Sequence, residues 1–212
     1  MLRSRWSKVL VFLLCLSPIL WLGWLAWNQD LTANPIEFIT HYTGDWTIRF
    51  LAFTLAITPL RKLLNLPDLI KFRRMVGLYA FFYGTLHFTT YIWLDKFFDL
   101  GEMIHDIGKR PFITVGFLSF VLMIPLALTS TRGWIRRMGG KRWQLLHRAV
   151  YVSAIAGGIH YLWLVKSSIR RPVFYLSVFG LLLAIRAVYW VMGRRVHAKP
   201  IIAAGARGTI AG

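Results

Sequence analysis

Cysteine and acidic residues are both scarce in this sequence. Its 212 residues include one cysteine, Cys15, and only eight Asp and Glu. A single cysteine excludes an intramolecular disulfide and a Cys-x-x-Cys metal or redox pair. Six apolar intervals are long enough to cross a membrane, and none has an acidic residue in its interior. A relay of intramembrane carboxylates, which proton-coupled transporters commonly use, is therefore not predicted.

Hydrophobic residues, by contrast, make up 57% of the chain, and charged residues only 16%. The charged residues are clustered between apolar runs, which is typical of a polytopic membrane protein. A net charge of +18 would indicate nucleic-acid binding in a soluble chain. Here the basic residues flank apolar intervals, so we expect the lipid bilayer, and no nucleic acid, as the partner of these charges.

The predicted fold is all-α, a membrane helical bundle with six transmembrane helices. We predict a cytoplasmic N-terminus at residues 1–8, a transmembrane domain at 9–193, and a disordered cytoplasmic tail at 194–212. The first apolar run has no small-residue cleavage site after it, so it is interpreted as a retained helix. The predicted spans are Val9–Trp27, Thr47–Leu64, Met75–Leu94, Phe112–Thr129, Leu146–Val165 and Val173–Met192.

The distribution of basic residues predicts the orientation of this bundle. The termini and the even-numbered connections carry 18 Lys and Arg, and the other side carries six. Seven of the eight acidic residues fall on that second side. Both termini are therefore predicted to be cytoplasmic. The longest connection, residues 95–111, has room for no more than a small interfacial helix.

Three histidines lie in the predicted spans, where an ionisable side chain is costly. His87 is thirteen residues beyond Arg74, and His160 is thirteen residues beyond His147, which lies beside a basic cluster. His87 and His160 are thus predicted at similar depth on neighbouring helices. Two such imidazoles can supply both axial ligands of a haem, although a membrane histidine can also simply bond to another helix.

A glycine precedes each of these two histidines by one turn, Gly84 before His87 and Gly157 before His160. Small residues there would let a flat macrocycle approach the helix, and they also serve ordinary helix packing.

His147 is harder to place from the sequence. On a straight helix, thirteen residues rotate a side chain by about 140°, so His147 and His160 cannot share one face. Either the helix is distorted near Gly157–Gly158, or His147 lies at the helix entrance. A second haem at His147 would need an unusual ligand, a single ligand or water; the alternative is that His147 marks the point of electron entry.

Arg49 and Arg186 are predicted inside or at the edge of spans, where a guanidinium needs an anionic partner or must extend to the membrane surface. Haem propionates and lipid phosphates are equally suitable. Three further histidines, His41, His105 and His197, are interpreted as solvated residues of loops or tail. The GARG of the tail neither follows a strand nor opens a helix, so it is not a dinucleotide-binding loop.

Several motifs, in the same order along the chain, resemble the MsrQ (YedZ) family, which belongs to the ferric-reductase-like transmembrane superfamily. They are HYTGDW (41–46), ITPLRK (57–62), RRMVGLYAFFYGTLHFTTY (73–91), KRPFITVG (109–116), ALTST (127–131) and WQLLHRAVYV (143–152) with IHYLW (159–163). The resemblance implies an electron-transfer subunit in the bacterial inner membrane, with haem b ligated by His87 and His160. His147 matches the third family histidine, so one haem is preferred and two are the alternative.

The resemblance also implies FMN, and a periplasmic molybdopterin-containing reductase, MsrP, that performs the reduction of methionine sulfoxide. Electrons would come from the quinone pool or from a cytosolic flavin reductase. Acidic residues of the external connections, at positions 95–106 and 30–45, are candidate contacts for that reductase. Two alternatives stay open: a small transporter or proton relay that uses the histidines, and a self-contained metal reductase.

Overall fold

The computed structural model describes residues 5–165 and 168–198, and for 193–198 it describes the backbone alone. Across these ranges the regular structure is helical, without a strand. The α-helices are α1 (Arg5–Trp27), α2 (Pro35–Leu63), α3 (Ile70–Thr90), α4 (Leu100–Lys109), α5 (Pro111–Leu128), α6 (Arg132–Met138), α7 (Gly140–His147), α8 (Ala149–Leu164) and α9 (Arg170–Ala198). A 3₁₀ turn at Pro67–Leu69 precedes α3, and a π-helical turn at Tyr91–Asp95 follows it.

Two helix pairs form the centre of the bundle. Helix α2 packs along α3, and α5 packs along α8, and the pairs meet where α3 contacts α5 and α2 contacts α8. Helix α9 covers α2 and α8, and α1 lies against α3. The arrangement leaves space between the two pairs, and this space is lined by His87 of α3 and His160 of α8.

Tyr83 joins α3 to α1 at a break in the hydrogen bonding of α1. Pro18 lies inside α1 and has no N–H, so the carbonyl of Leu14 accepts from the Ser17 hydroxyl instead, at 2.9 Å. One residue further along, the fully buried Tyr83 hydroxyl accepts from the Ile19 N–H at 3.1 Å and donates to the Cys15 carbonyl at 3.0 Å. Cys15 is buried and unpaired, as the single cysteine requires.

A reciprocal pair of serines joins α5 to α8. The Ser119 hydroxyl donates to the Ser153 carbonyl at 2.8 Å, and the Ser153 hydroxyl donates to the Ser119 carbonyl at 2.9 Å. Both side chains are buried. Small residues at a helix crossing let two backbones approach closely, and here each hydroxyl uses that approach to bond the opposite helix.

Helix α2 begins twelve residues before the predicted start at Thr47. Asn34 caps it by accepting from the Glu37 N–H, and Pro35 occupies the first helical position, which suits its fixed φ. The polar segment that follows was predicted as a loop because it is not apolar. It is helical, and one of its residues, Asp45, is an acidic residue on a helix predicted to span the membrane.

The predicted fifth span is divided. Helix α7 ends at His147, Arg148 interrupts the helix, and α8 runs for 16 residues from Ala149. Among the described residues, three helices are long and apolar enough to cross a membrane: α1, α5, and α9 up to Met192. Helix α8 falls short in length, and polar or charged residues lower the hydropathy of α2 and α3. Helix α9 continues past residue 193, the predicted domain boundary, to Ala198; residues 1–4 and 199–212 of the predicted termini lie outside the described residues.

Candidate functional site

A cavity of about 720 Å³ lies between the two helix pairs. This volume is within the range of pockets that bind small molecules and cofactors. Its inner wall is apolar, from Leu51, Phe120 and Met123, and it lies between two imidazoles, those of His87 and His160. Gly84 and Gly157, the two glycines singled out in the sequence, both line it.

The rings of His87 and His160 lie 6.1 Å apart, centre to centre, with an angle of 71° between their planes. The structure therefore brings together the pair that depth counting matched. Nδ1 of His87 is 2.9 Å from the carbonyl oxygen of Thr40, and Nδ1 of His160 is 2.7 Å from that of Phe112. Because a carbonyl only accepts, each Nδ1 carries the proton. Each Nε2 is then the unprotonated nitrogen, the form that ligates a metal.

The spacing of the rings can be compared with that of two axial ligands. Because an imidazole nitrogen binds a transition metal at about 2 Å and the ring centre lies about 1 Å behind that nitrogen, two axial histidines have ring centres about 6 Å apart. The observed 6.1 Å matches this value. No group of three or more His, Cys, Asp or Glu that could hold a metal ion occurs in the described ranges. Two histidine nitrogens plus a macrocycle, as in haem, fit the donor set better than a metal ion held by protein ligands alone.

Two more glycines make room for these imidazoles. A Cβ placed on Gly116 of α5 would lie 2.5 Å from Nδ1 of His160 and 2.9 Å from its Cγ. A Cβ on Gly44 of α2 would lie 3.1 Å from Nδ1 of His87. The two sites repeat one pattern: a helix offers a carbonyl to the ring, from Thr40 or Phe112, and a glycine four residues later. Each ring thus lies directly against the backbone of the neighbouring helix.

Sequence reasoning missed Gly44, Gly116 and the two carbonyl residues. Gly44 and Gly116 stand in the motifs HYTGDW and KRPFITVG, each with the carbonyl residue four positions earlier, Thr40 just before HYTGDW and Phe112 within KRPFITVG. The signal in the sequence was a glycine within a helical segment, at a position where no turn accounts for the glycine. Assigning it to a histidine required knowing which helices are neighbours.

His147 has a different environment from the other two histidines. It is the last residue of α7, its Nε2 lies 3.1 Å from the Thr129 hydroxyl, and its ring stacks on Trp143 at 3.8 Å between centres. It does not line the cavity between His87 and His160. Of the two placements left open by the sequence, the helix entrance is therefore the one observed.

Arg49 and Arg186 both have protein partners and neither lines the cavity. Arg49 lies 3.4 Å from Asp45 and 4.7 Å from the ring centre of Trp46. Arg186 donates to the Tyr151 hydroxyl and to the Leu55 carbonyl, both at 2.6 Å. Their positions do not bring them to the histidine pair.

Of the remaining histidines, His41 lies on α2 and lines the polar end of the cavity, which we call the rim. His105 lies on the exposed side of α4. The side chain of His197 lies outside what the structure describes. Glu37 and Asp45 of α2 and Asp95 of the π-helical turn also line the cavity, so acidic residues from both predicted external connections lie there.

Helix α4 lies beside this end of the cavity, and a buried lysine forms ion pairs with two of its carboxylates. Lys96 is 6% exposed, and its ammonium lies 2.8 Å from Asp106 and 2.7 Å from Glu102. Asp106 also lies 3.2 Å from Nε of Arg110. The hydrogen bond from Lys96 holds the pKa of Asp106 below its ordinary value, and the bonds to Asp106 and Glu102 raise the pKa of Lys96.

This network predicts a loss of stability in acid. A carboxyl whose folded pKa is depressed contributes stability above its unfolded pKa of about 4, and that contribution disappears as the pH falls through the folded value. We expect the thermal unfolding temperature in detergent to fall between neutral pH and about pH 3. Lys96→Met should lower it at neutral pH, because Asp106 stays buried with a weaker partner. Lys71→Met, which removes an exposed pair with Asp68, is the control and should change little; an equal effect of both variants would contradict the assignment.

The comparisons with known proteins agree with one another. Residues 43–158 match the family described as ferric reductase like transmembrane component. A relative from Herminiimonas arsenicoxydans, named protein-methionine-sulfoxide reductase heme-binding subunit MsrQ, is 53% identical over 89% of this chain and 87% of its own. Proteins of the same name from Rhodospirillum rubrum and Polaromonas naphthalenivorans are 48% and 45% identical, over 93% and 91% of this chain and 95% and 92% of their own. No solved structure matches.

Proposed function

Because this chain belongs to the MsrQ family of ferric-reductase-like transmembrane proteins, we propose that it is a membrane electron-transfer subunit that binds haem b between His87 and His160. The observation that carries the proposal is the pair of rings whose centres lie 6.1 Å apart, each with its Nδ1 proton directed to a backbone carbonyl. The relatives' names, which describe a heme-binding subunit, support the choice of cofactor.

The residues of the cavity would determine how that haem behaves. When bound, haem supplies a one-electron couple between ferric and ferrous iron. His87 and His160 would each supply one imidazole nitrogen to the iron, which would favour electron transfer over binding of oxygen or substrate there. The bonds to Thr40 and Phe112 fix the orientation of each ring and increase its basicity as a ligand. The apolar wall at Leu51 and Met123 excludes water from the macrocycle.

For the membrane, we propose six spans, α1, α2, α3, α5, α8 and α9, with both termini cytoplasmic and the chain in a bacterial inner membrane. The excess of basic residues on one side supports this orientation. It places the acidic rim of the cavity, with Glu37 and Asp95, at the periplasmic face. Helices α6 and α7, with their basic residues, would then lie on the cytoplasmic side.

The proposed partner is a periplasmic molybdopterin-containing reductase, MsrP, that repairs methionine sulfoxide in proteins. The relatives' names assign them to a protein-methionine-sulfoxide reductase, which supports this class of partner. The quinone pool or a cytosolic flavin reductase would supply the electrons, and His147, at the opposite end of the bundle, would lie near their entry. One haem is proposed, and a second at His147 is the alternative. FMN stays an expectation from the family resemblance, without an assigned site.

The absorption spectrum of the purified protein tests this function. We expect a Soret band, sharp α and β bands after reduction, and close to one haem per chain. A folded but colourless protein would overturn the proposal in favour of a small transporter or proton relay. Turnover of NAD(P)H and ferric chelates without a second subunit would instead indicate a self-contained metal reductase.

A further inference from the structure

The cavity has one polar end. Two side chains at that end have hydrogen-bond donors that no acceptor of the described residues occupies. Opposite the apolar wall, the rim is formed by the start of α2, the π-helical turn after α3, and the start of α5. Haem b is itself asymmetric, with an apolar porphyrin edge and two propionate carboxylates. If haem occupies the cavity, as the proposed function requires, its carboxylates belong at this end.

Tyr91 is the first of these donors. It lies in the π-helical turn and lines the cavity, and its hydroxyl is buried without a hydrogen-bond partner in the described part of the chain. A buried hydroxyl without a partner is costly, so such groups are uncommon unless a ligand or water completes them. Tyr91 lies close enough to Arg110 and Asp106 for their charges to act on it.

Arg110 is the second donor, and it is the one arginine among the described residues that line the cavity. Its Nε lies 3.2 Å from Asp106, and within the described ranges its two terminal nitrogens have no hydrogen bond. A guanidinium has a planar fork of donors that matches a carboxylate. Asp106 therefore holds Arg110 in place through one edge and leaves the other edge for a ligand.

The acidic residues of the rim already have partners of their own. Glu37 accepts from the Asn34 amide at 3.0 Å, Asp45 lies 3.4 Å from Arg49, and Asp95 lies 3.9 Å from Lys96. The charge of Asp106 is balanced by Lys96 as well as by Arg110. None of these carboxylates takes up the free edge of Arg110, so the guanidinium remains available to another anion.

We propose that Tyr91 and Arg110 together bind one propionate carboxylate of haem b. The hydroxyl and the terminal nitrogens of the guanidinium donate to the carboxylate oxygens, and Lys96 positions Arg110 indirectly through Asp106. This assigns the propionate to the rim in place of Arg49 and Arg186, neither of which lines the cavity. The inference depends on the proposed function, since it needs haem in the cavity.

The test measures how fast haem leaves the intact protein. Wild type and the variants Arg110→Gln and Tyr91→Phe are each loaded with haem b or with its dimethyl ester, which lacks both carboxylates. Transfer of haem to excess apomyoglobin is followed by absorbance. Arg171→Gln and Tyr175→Phe are matched controls: Arg171 is also an outer-side arginine near an aspartate, and neither residue lines the cavity.

For haem b, we expect loss from Arg110→Gln to be about tenfold faster than from wild type, because a charge-assisted pair is removed. Tyr91→Phe should accelerate loss by a smaller factor, and both controls should behave as wild type. Wild type and Arg110→Gln should lose the dimethyl ester at similar rates. The substitution should therefore cause little further acceleration once the ligand has no carboxylates. This non-additivity is the signature of direct contact between residue and carboxylate.

The inference would be overturned if replacing haem b by the ester accelerated loss equally from wild type, Arg110→Gln and Tyr91→Phe. It would also be overturned if Arg110→Gln lost haem b no faster than Arg171→Gln does. If Arg110→Gln does not fold, the same comparison between wild type and Tyr91→Phe decides the question. A wild type that binds no haem is a separate result, because it contradicts the proposed function itself.

Discussion

His160→Ala and His87→Ala are each expected to yield folded protein that has lost most or all of its haem. Each imidazole would supply one bond to the iron, and the residues bonded to the two rings cannot replace them, because Thr40 and Phe112 contribute only carbonyls that accept the Nδ1 proton. Haem per chain, measured as the reduced spectrum relative to protein concentration, should fall by roughly tenfold or more, as expected for a lost metal ligand. Residual haem should have a high-spin spectrum with one axial histidine.

Two other histidines serve as controls. His105→Ala, on the exposed side of α4, should leave the haem content and spectrum unchanged. His147→Ala should retain a substantial haem signal if one haem is bound, because His147 bonds to Thr129 and stacks on Trp143 instead. Complete loss of haem from folded His147→Ala protein would reverse the order of importance proposed for the three histidines.

Gly116→Ala is the second variant with a large expected effect, although it adds a single methyl group. The new Cβ would lie 2.5 Å from Nδ1 of His160, a distance at which atoms cannot remain. The ring would have to move away from α5, which would weaken its bond to Phe112 and displace Nε2 from the position that a ligand requires. We expect several-fold less haem and a shifted Soret band. Gly44→Ala should show a milder form of the same defect, since its contact with His87 would be 3.1 Å.

The matched controls are Gly23→Ala and Gly180→Ala, which add the same methyl group to helices α1 and α9. A Cβ at either position meets nothing within 4 Å. Both should keep full haem content, and their stability should be equal or slightly higher, because alanine favours helix more than glycine does. If Gly116→Ala had the haem content and spectrum of Gly180→Ala, close packing against His160 would have no functional role.

The pairing of His87 and His160 could be predicted because depth in a membrane can be counted from the sequence. Basic residues mark the interface, and a helix rises by a constant amount per residue, so equal offsets give equal depths. The same reasoning cannot show which helix lies opposite which. Gly44 and Gly116 were therefore missed, since their importance depends on the packing of α2 against α3 and of α5 against α8.

Hydropathy also located the helices better than their ends. The start of α2 was wrong by twelve residues because polar residues on that helix face the cavity or a neighbouring helix, and an apolar-run criterion reads them as a loop. The sequence also did not identify the partners of Arg49 and Arg186, for a related reason. Their carbonyl, hydroxyl and aspartate partners come from other turns and other helices, and such contacts cannot be predicted from composition.

The serine pair between α5 and α8 has a consequence for the position of His160 along the bundle. Ser119 and Ser153 are mutual partners, and so are Phe112 and His160, and each partner lies seven residues from the serine on its own helix. The two helices therefore have segments of equal length, two turns each, between the serine pair and the bond from His160 to Phe112. Sliding α8 by one residue would shift it by about 1.5 Å and rotate it by about 100°, which would break all three bonds at once. An insertion or deletion in one of these segments would therefore need a matching change in the other, so the position of His160 along the bundle depends on two equal lengths of helix.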